Sequence, residues 1–353
     1  MQILDAAATA QALPWPALLA ALRRTLADHA AGLAQVPPRQ VLALAPHTRW
    51  FVMPSWLMPA AGAGGTTADP STDLAAIKLI TWAAGNPALG LPSILGDVLV
   101  LRASTGQRLA LLDGPTVTAR RTAAVTVLAV QAVLATRLDR RPAGPLLLIG
   151  TGVQALAHVQ ALVACNGVSE VWVRGRSPER SRDFVQALRA QPALLQPGVS
   201  VQPADDLAAA LQHCPLVVTA TPAQTPCLFG PLRGDTLVAA IGAFTPSMIE
   251  LDTALTRHIA STGRVLLDSA DARHEAGDLL LAGLDTSQLP TLAALLAANQ
   301  PADSATAASA AADGPVLFKS CGHALWDLAA ARCAAGLLPP VDGDQRPNPP
   351  PAG

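Results

Sequence analysis

The chain has no tyrosine among its 353 residues, which removes every mechanism that uses a phenol as proton donor. It has little charge of either sign: 24 basic and 25 acidic residues leave a formal net charge of −1. Nothing in that balance would draw nucleic acid or an anionic membrane as a partner. No uninterrupted apolar run approaches the roughly 18 residues that a bilayer span needs. Alanine and leucine in amphipathic helices account for the mean hydropathy of +0.35. The opening Met1-Gln2-Ile3-Leu4-Asp5 lacks the basic start and apolar core of a signal peptide, so a cytoplasmic location is expected. Cys165, Cys214, Cys227, Cys321 and Cys333 show no C-x-x-C spacing and read as reduced thiols. The histidines form no H-x-x-x-H pair and no cluster with cysteine, so no metal site is expected.

What is present is a strand, a tight turn and a helix in the order a dinucleotide requires. Leu146-Leu147-Leu148-Ile149 runs into Gly150-Thr151-Gly152-Val153-Gln154-Ala155, and a helical pattern follows from Leu156 to Val163. Gly150 permits the sharp turn, Gly152 lets the backbone approach a pyrophosphate, and Ala155 lets the helix pack close to the strand. The free N–H groups and the positive end of the helix dipole then face the phosphates.

The flanking regions differ in pattern. Before the turn, Pro14 to Ala30 reads as a helix with Trp15, Leu18, Leu19, Leu22 and Leu26 on one face. Strand-like segments follow at Arg39–Leu44, Thr48–Met53, Ala75–Thr81, Gly96–Arg102 and Gln107–Leu112, with an exposed loop at 60–70. Strands joined without helices predict an antiparallel sheet. A long helix over Val117–Thr136 leads out of it. After the turn, strands and helices alternate through Glu170–Val173, Pro178–Arg189, Leu216–Thr219, Thr236–Ile241, Met248–Thr256 and Arg264–Leu267. That alternation predicts a doubly wound nucleotide domain. Asn299–Gly314 reads as a loose loop, Ala324–Ala335 as a closing helix, and the proline-rich end from Pro339 as disordered.

The second strand of such a domain ends in Asp or Glu when a ribose 2′-hydroxyl is recognised. Here Val171-Trp172-Val173 runs into Arg174-Gly175-Arg176-Ser177. No acid is available, whereas Arg176 and Ser177 suit a 2′-phosphate, so NADPH is favoured over NADH.

Further motifs fall in a recognisable order: Asp113-Gly114-Pro115-Thr116-Val117-Thr118-Ala119-Arg120-Arg121-Thr122-Ala123-Ala124, the glycine turn, Ile241-Gly242-Ala243-Phe244-Thr245-Pro246, Glu250-Leu251-Asp252, Asp268-Ser269, Glu275-Ala276-Gly277-Asp278, and Phe318-Lys319-Ser320-Cys321-Gly322. Together they resemble the ornithine cyclodeaminase/mu-crystallin family from about Val36 to Ala335. The resemblance implies an α/β homodimer with the active site between two lobes. Residues 1–122 would form an antiparallel-sheet domain for substrate binding and dimerisation, completed by a helical segment at 315–338. Residues 123–314 would form the Rossmann-type domain, with 339–353 a tail.

Family members act on small amino or imino acids, and an α-carboxylate calls for cations. By position, Arg39, Lys78 and Arg121 would bind the substrate, with Lys78 also catalytic. The matching cofactor set is Arg121, Thr122, Gly150, Thr151, Gly152, Val153, Gln154, Gly175, Arg176, Ser177, Thr219, Ala220, Thr221, Gly242 and Ala243, with Lys319 and Ser320 closing over the nicotinamide. Where the family's cyclodeaminases carry an aspartate that manages ammonia release, this chain has Phe244. Phenylalanine neither accepts a proton nor activates water, which turns the expectation toward hydride delivery to a preformed imine. Thr81-Trp82-Ala83-Ala84-Gly85-Asn86-Pro87 and the doubled Arg120-Arg121 are similar to bacterial ketimine reductases. The expected reaction is reduction of Δ1-pyrroline-2-carboxylate to L-proline, and of Δ1-piperideine-2-carboxylate to L-pipecolate. Ornithine cyclodeamination and amino-acid dehydrogenation are the alternatives within the family. A non-catalytic NADPH-dependent binding protein is the alternative of another class.

Overall fold

The computed structural model describes residues 1–57, 72–137, 143–191, 194–298 and 314–337. The loop expected at 60–70, the tail, and all of the loop expected at 299–314 except Gly314 lie outside the described residues. Two compact units emerge: Met1–Arg121 with the segment from Ala324 onward, and Thr122–His323.

The first unit begins with β1 (Gln2–Leu4), α1 (Ala6–Gln11), α2 (Trp15–Ala30), β2 (Ala34–Gln35), β3 (Gln40–Ala45), β4 (Thr48–Leu57), β5 (Leu74–Ala83), β6 (Ile94–Arg102) and β7 (Arg108–Asp113). Helix α3 (Gly114–Ala135) crosses into the second unit. There follow β8 (Leu146–Ile149), α4 (Val153–Asn166), β9 (Glu170–Arg174), α5 (Pro178–Ala190), β10 (Ser200–Pro203), α6 (Leu207–His213), β11 (Leu216–Thr219) and β12 (Leu237–Ala240). The unit closes with α7 (Thr253–Thr262), β13 (Arg264–Leu267), α8 (Ala272–Glu275), α9 (Gly277–Leu280), α10 (Leu292–Ala298) and β14 (Val316–Lys319). Helix α11 (Ala324–Leu337) belongs to the first unit.

The first sheet runs β1-β7-β6-β5-β4-β2, with β3 also on β4. It is antiparallel except for β1, which the sequence pattern missed and which lies parallel to β7. Period-two alternation on β4 and β5 turns one face inward. One inward row is Met53–Lys78–Val98–Leu112, all four buried. Helix α2 packs its Leu18, Leu22 and Leu26 face inward, as its periodicity predicts. Helix α11 is apolar nearly all round, and Ala324 through Ala334 are all buried.

The second sheet is wholly parallel, in the order β10-β9-β8-β11-β12-β14-β13. The chain moves outward from β8 in one direction, returns to β11, and moves outward in the other through β12 to the edge strand β13 before β14 inserts between those two. The crevice at the carboxyl ends of β8 and β11 is therefore the topological switch point, where open α/β sheets bind ligands.

Several boundaries depart from expectation, β4 for instance running on to Leu57, and three departures have a clear cause in pairing or capping. Helix α3 starts at Gly114, three residues early, because the Asp113 carboxylate accepts the Thr116 N–H at 2.8 Å. Segment 248–256 divides at Asp252, whose carboxylate caps α7 by accepting the Ala254 and Leu255 N–H groups. The 315–338 segment is not one helical return: Val316–Lys319 is a strand inserted between β12 and β13. Helix α3 is also long and apolar enough to cross a membrane, but 83% of that window is buried inside the protein, as in a core helix.

Candidate active site

In the first unit, Lys78 lies in the middle of β5 within its apolar row and is 1% exposed. Its Nζ donates to Asp327 Oδ1 at 3.0 Å and lies 2.9 Å from Oδ2. Arg121, the last residue of this unit's part of α3, donates from Nε to the same Oδ1 at 3.1 Å. Asp327, on α11, is fully buried. Two cations thus share one carboxylate inside an apolar core. The Lys78 ammonium is held down from the usual 10.5 to about 8, first by burial and then by Arg121, with Asp327 opposing and Arg39 adding a smaller lowering. Arg39 is half-buried at the entry to β3, with its guanidinium 5.9 Å from the centroid of the Phe51 ring. The three predicted cations are therefore within electrostatic reach of one another. The doubled arginine resolves into two roles. Arg120 stacks on Trp15 at 3.9 Å and donates to the Leu13 carbonyl, whereas Arg121 turns toward Lys78 and Asp327.

In the second unit, one register line crosses the sheet: Arg174, Ile149, Thr219, Ala240, Lys319 and Leu267 are successive partners on adjacent strands. The predicted cofactor residues Gly150, Thr151, Ala220, Thr221, Gly242, Ala243, Gly175 and Ser320 follow the ends of these strands, so distant segments meet along one edge. Gly150 has φ +129, and a Cβ there would lie 2.5 Å from the Ala220 carbonyl oxygen, so only glycine fits. Gly242 is equally constrained, because a Cβ would collide with the Thr221 backbone. Helix α4 opens on Gly152 without a side-chain cap, and a Cβ on Gly152 would meet nothing within 4 Å. Val153 is 69% exposed beside it. An uncapped helix start with open space above it fits a pyrophosphate.

Behind the turn, Thr122 is buried on α3. His158 Nδ1 donates to the Gln154 carbonyl at 2.7 Å, which leaves Nε2 to accept from the Thr126 hydroxyl at 2.9 Å. Burial holds this histidine down at about 4, so it is a neutral brace.

At the end of β9 the residues from Arg174 to Ser177 take different parts. Arg174 donates to the Ala204 and Asp205 carbonyls, each at 3.1 Å. Ser177 caps α5 by accepting the Arg180 N–H, and the Gly175 N–H donates to Ser181 Oγ at 2.8 Å. Arg176 is exposed and carries no side-chain partner among the described residues.

The Gly242 and Ser320 end of this edge rests on carboxylates that the sequence did not single out as site residues. Glu250 is fully buried; its Oε1 accepts from the Thr221 N–H and hydroxyl, and its Oε2 from the Gly242 and Ala243 N–H groups. Asp278 Oδ1 accepts the Glu250 and Leu251 N–H groups, and its Oδ2 lies 2.8 Å from Lys319 Nζ. Asp268 Oδ2 accepts from the Ser320 hydroxyl and the Cys321 and Gly322 N–H groups. Lys319 is 0% exposed. Its ammonium faces Asp278 from beneath the edge rather than outward. Burial acts to lower its pKa, but Asp278, Cys321 and Glu250 outweigh this and raise it. Phe244 is half-buried and packs against the second unit's core. No group of three or more His, Cys, Asp or Glu residues suited to a metal exists among the described residues.

Asp327 gave no local signal. It is a lone acid in an alanine-rich helix, 249 positions from the lysine it meets. The only hint in the sequence is that Lys78 and Asp327 are opposite charges, each isolated in an apolar segment.

A parallel nucleotide sheet with this glycine edge, joined to a mainly antiparallel unit with buried cations, defines a class of two-unit dinucleotide enzymes. The profile of the ornithine cyclodeaminase/mu-crystallin family matches residues 2–335, and the chain belongs to that family. It is 40% identical over 338 residues to Δ1-pyrroline-2-carboxylate reductase 1 of Burkholderia multivorans, covering 95% of this chain and 96% of the relative. It is 40% identical, with the same coverage, to the Δ1-pyrroline-2-carboxylate/Δ1-piperideine-2-carboxylate reductase of Azospirillum brasilense. The Δ1-pyrroline-2-carboxylate reductase of Thermococcus litoralis, solved with NADH and L-proline, shares the fold. Its TM-score is 0.77 at 23% identity, covering 95% of this chain and 96% of that one.

Proposed function

We propose that this protein reduces the cyclic imines Δ1-pyrroline-2-carboxylate and Δ1-piperideine-2-carboxylate to L-proline and L-pipecolate. The observation that carries the reading is the pair of buried cations around Asp327. An excess positive charge inside an apolar core serves folding poorly and an anionic substrate well. Arg121 and Lys78 hold the α-carboxylate, with Arg39 closing on it. A planar ring fixed by its carboxylate presents one face of the C=N carbon for reduction. The nicotinamide, when bound, supplies the hydride. Lys78, protonated near neutrality and easily deprotonated because it is buried, gives the imine nitrogen its proton and regains one from solvent. Phe244 leaves the site without the acid that ammonia release would use. One ring carbon typically shifts discrimination by about 1–3 kcal/mol in an apolar pocket, so both ring sizes are accepted.

The cofactor is NADPH in preference to NADH, held by Gly150, Thr151, Gly152, Val153 and Gln154 at the pyrophosphate and by Arg176 and Ser177 at the 2′-phosphate. Thr122, Gly175, Thr219, Ala220, Thr221, Gly242, Ala243 and Ser320 shape the rest of that edge, and Lys319 supports it from below. The working form is a homodimer. Among the described residues, strand β3 has a partner on one side only and exposes Val41, Leu42 and Leu44 at 45–53%, an edge that a second copy would cover. All five cysteines are free thiols, in keeping with the reducing cytoplasm.

The test is NADPH oxidation against five- and six-membered 2-carboxy imines, with ornithine, and pyruvate plus ammonia, as comparisons. Turnover of both cyclic imines, and no ammonia from ornithine, is expected. Tight NADPH binding without turnover of any imine would overturn the reading in favour of a binding protein.

A further inference from the structure

We propose that Asp327 is a positioning residue for the imine reduction, holding the Lys78 ammonium and the Arg121 guanidinium in one fixed pair and keeping Lys78 charged for proton transfer. The inference rests on the reading of Lys78 as the proton donor. Its basis is geometric. Both carboxylate oxygens lie within 3.0 Å of Lys78 Nζ, and one of them also takes the Arg121 Nε–H at 3.1 Å. Helix α11, β5 and α3 each bring one member, and the charged groups that reach Lys78 from its surroundings are Arg121, Asp327 and Arg39. Of these, Asp327 alone favours the charged lysine. Without it, burial and two guanidiniums would strip Lys78 of its proton at neutral pH.

The arrangement also explains the shared acceptor. A carboxylate that binds both cations on one side leaves Arg121 its two remaining nitrogens and Lys78 its other protons for a ligand. In the reaction, the nitrogen lone pair of the imine takes the Lys78 proton. The ring carbon receives the hydride, and the C=N π pair returns to nitrogen as a lone pair. The neutral Lys78, still held on Asp327, is reprotonated from water.

Two variants and two readouts test this. Asp327→Asn keeps the shape and removes the charge, and Asp327→Glu keeps the charge. With both cyclic imines, kcat/KM should fall as pH rises through about 8 in the wild type. That limb should move down by at least one pH unit in Asp327→Asn and return toward the wild-type position in Asp327→Glu. NADPH affinity should stay within about tenfold, since Arg121 alone of the expected cofactor residues bonds to Asp327. A uniform loss at every pH, with the limb unmoved, would reduce Asp327 to a packing role. A limb that differs between the two imines but not between variants would belong to the ring nitrogen and overturn the proposal.

The second readout needs no substrate. Lys78→Met is combined with wild type and with Asp327→Asn, and urea stability is followed from pH 6 to 11. The pH at which the lysine's effect on stability fades reports its titration, and it should be lower by at least one unit without Asp327. An unchanged onset sinks the inference whatever the activity. A shifted onset in a protein that reduces neither imine would sustain the role of Asp327 in charging Lys78 and reject the reductase reading instead.

Discussion

Each unit of this protein buries a cluster made of the same parts, with the excess charge reversed. In the first unit two cations, Lys78 and Arg121, share the single carboxylate of Asp327. In the second, Lys319 stands against two carboxylates, Asp278 and Glu250, and backbone N–H groups on both acids take up the remaining negative charge. Burial and a like-charged neighbour push Lys78 down. Burial acts on Lys319 too, but its acidic surroundings outweigh it and push that lysine up. Glu250 shows the complementary effect, raised by burial and by Asp278 against the pull of Lys319. The comparison separates a clamp from a site. In the second cluster backbone N–H groups meet the surplus negative charge, and Glu250 holds the Gly242 loop at the sheet edge. The first holds a positive charge that the fold alone does not neutralise.

The sharpest way to break this distinction is activity. Lys78→Met should lose roughly 10²–10⁴ in kcat/KM with NADPH binding retained, the range that a lost general acid covers. Steady-state kinetics with fluorescence titration of NADPH checks it, and unchanged turnover would remove Lys78 from the chemistry. Next comes stability, where the two lysines should give opposite signs. Lys319→Met leaves buried carboxylates without their cation and should cost about 3–5 kcal/mol. Lys78→Met removes the surplus cation and should stabilise by roughly 1–3 kcal/mol at pH 7. The pH dependence follows from the lowered pKa of Lys78. Below about 8 both folded and unfolded lysines are protonated, so the folded protein carries the full penalty. Between about 8 and 10.5 the folded state has released its proton and the unfolded state has not, so stability rises with pH and the advantage of Lys78→Met disappears. Urea titrations at pH 7 and 10.5 decide it, and destabilisation by both substitutions at pH 7 would erase the contrast. The smallest effect concerns the cofactor. Arg176→Ala should weaken NADPH by about 10–100-fold and NADH little, the worth of one or two charge-assisted contacts. Equal loss for both cofactors would move 2′-phosphate recognition elsewhere.

Much of the nucleotide unit could be read in the sequence because its signals are local. Four apolar residues, a glycine turn and a helical pattern lie in one stretch, and the central strands β8, β11 and β12 are each an apolar run, whereas the edge strand β10, Ser-Val-Gln-Pro, is not and was missed. Strand β14 escaped because Val316–Lys319 looks like the lead-in to α11; only pairing with β12 and β13 makes it a strand. Strand β1 is three residues long and depends on β7, more than a hundred residues away. The two residues suited to a phosphate, Arg176 and Ser177, stay available: Arg176 is exposed, and Ser177 caps α5 through its oxygen while keeping a hydroxyl proton to donate, whereas the neighbouring Arg174 is engaged by two carbonyls.

Residue chemistry and short-range spacing pointed to two units and to a glycine turn suited to a dinucleotide, while the expected roles of Arg39, Lys78, Arg121 and Phe244 came from the family resemblance. The units and the turn depend on residue type and on neighbours within a turn or two. The tertiary structure alone decided where charge is satisfied. Which cations share a carboxylate, and which carboxylates are already occupied by backbone, depends on contacts across as many as 249 positions. At that separation no local pattern links the partners, and burial sets both their proton affinity and their role.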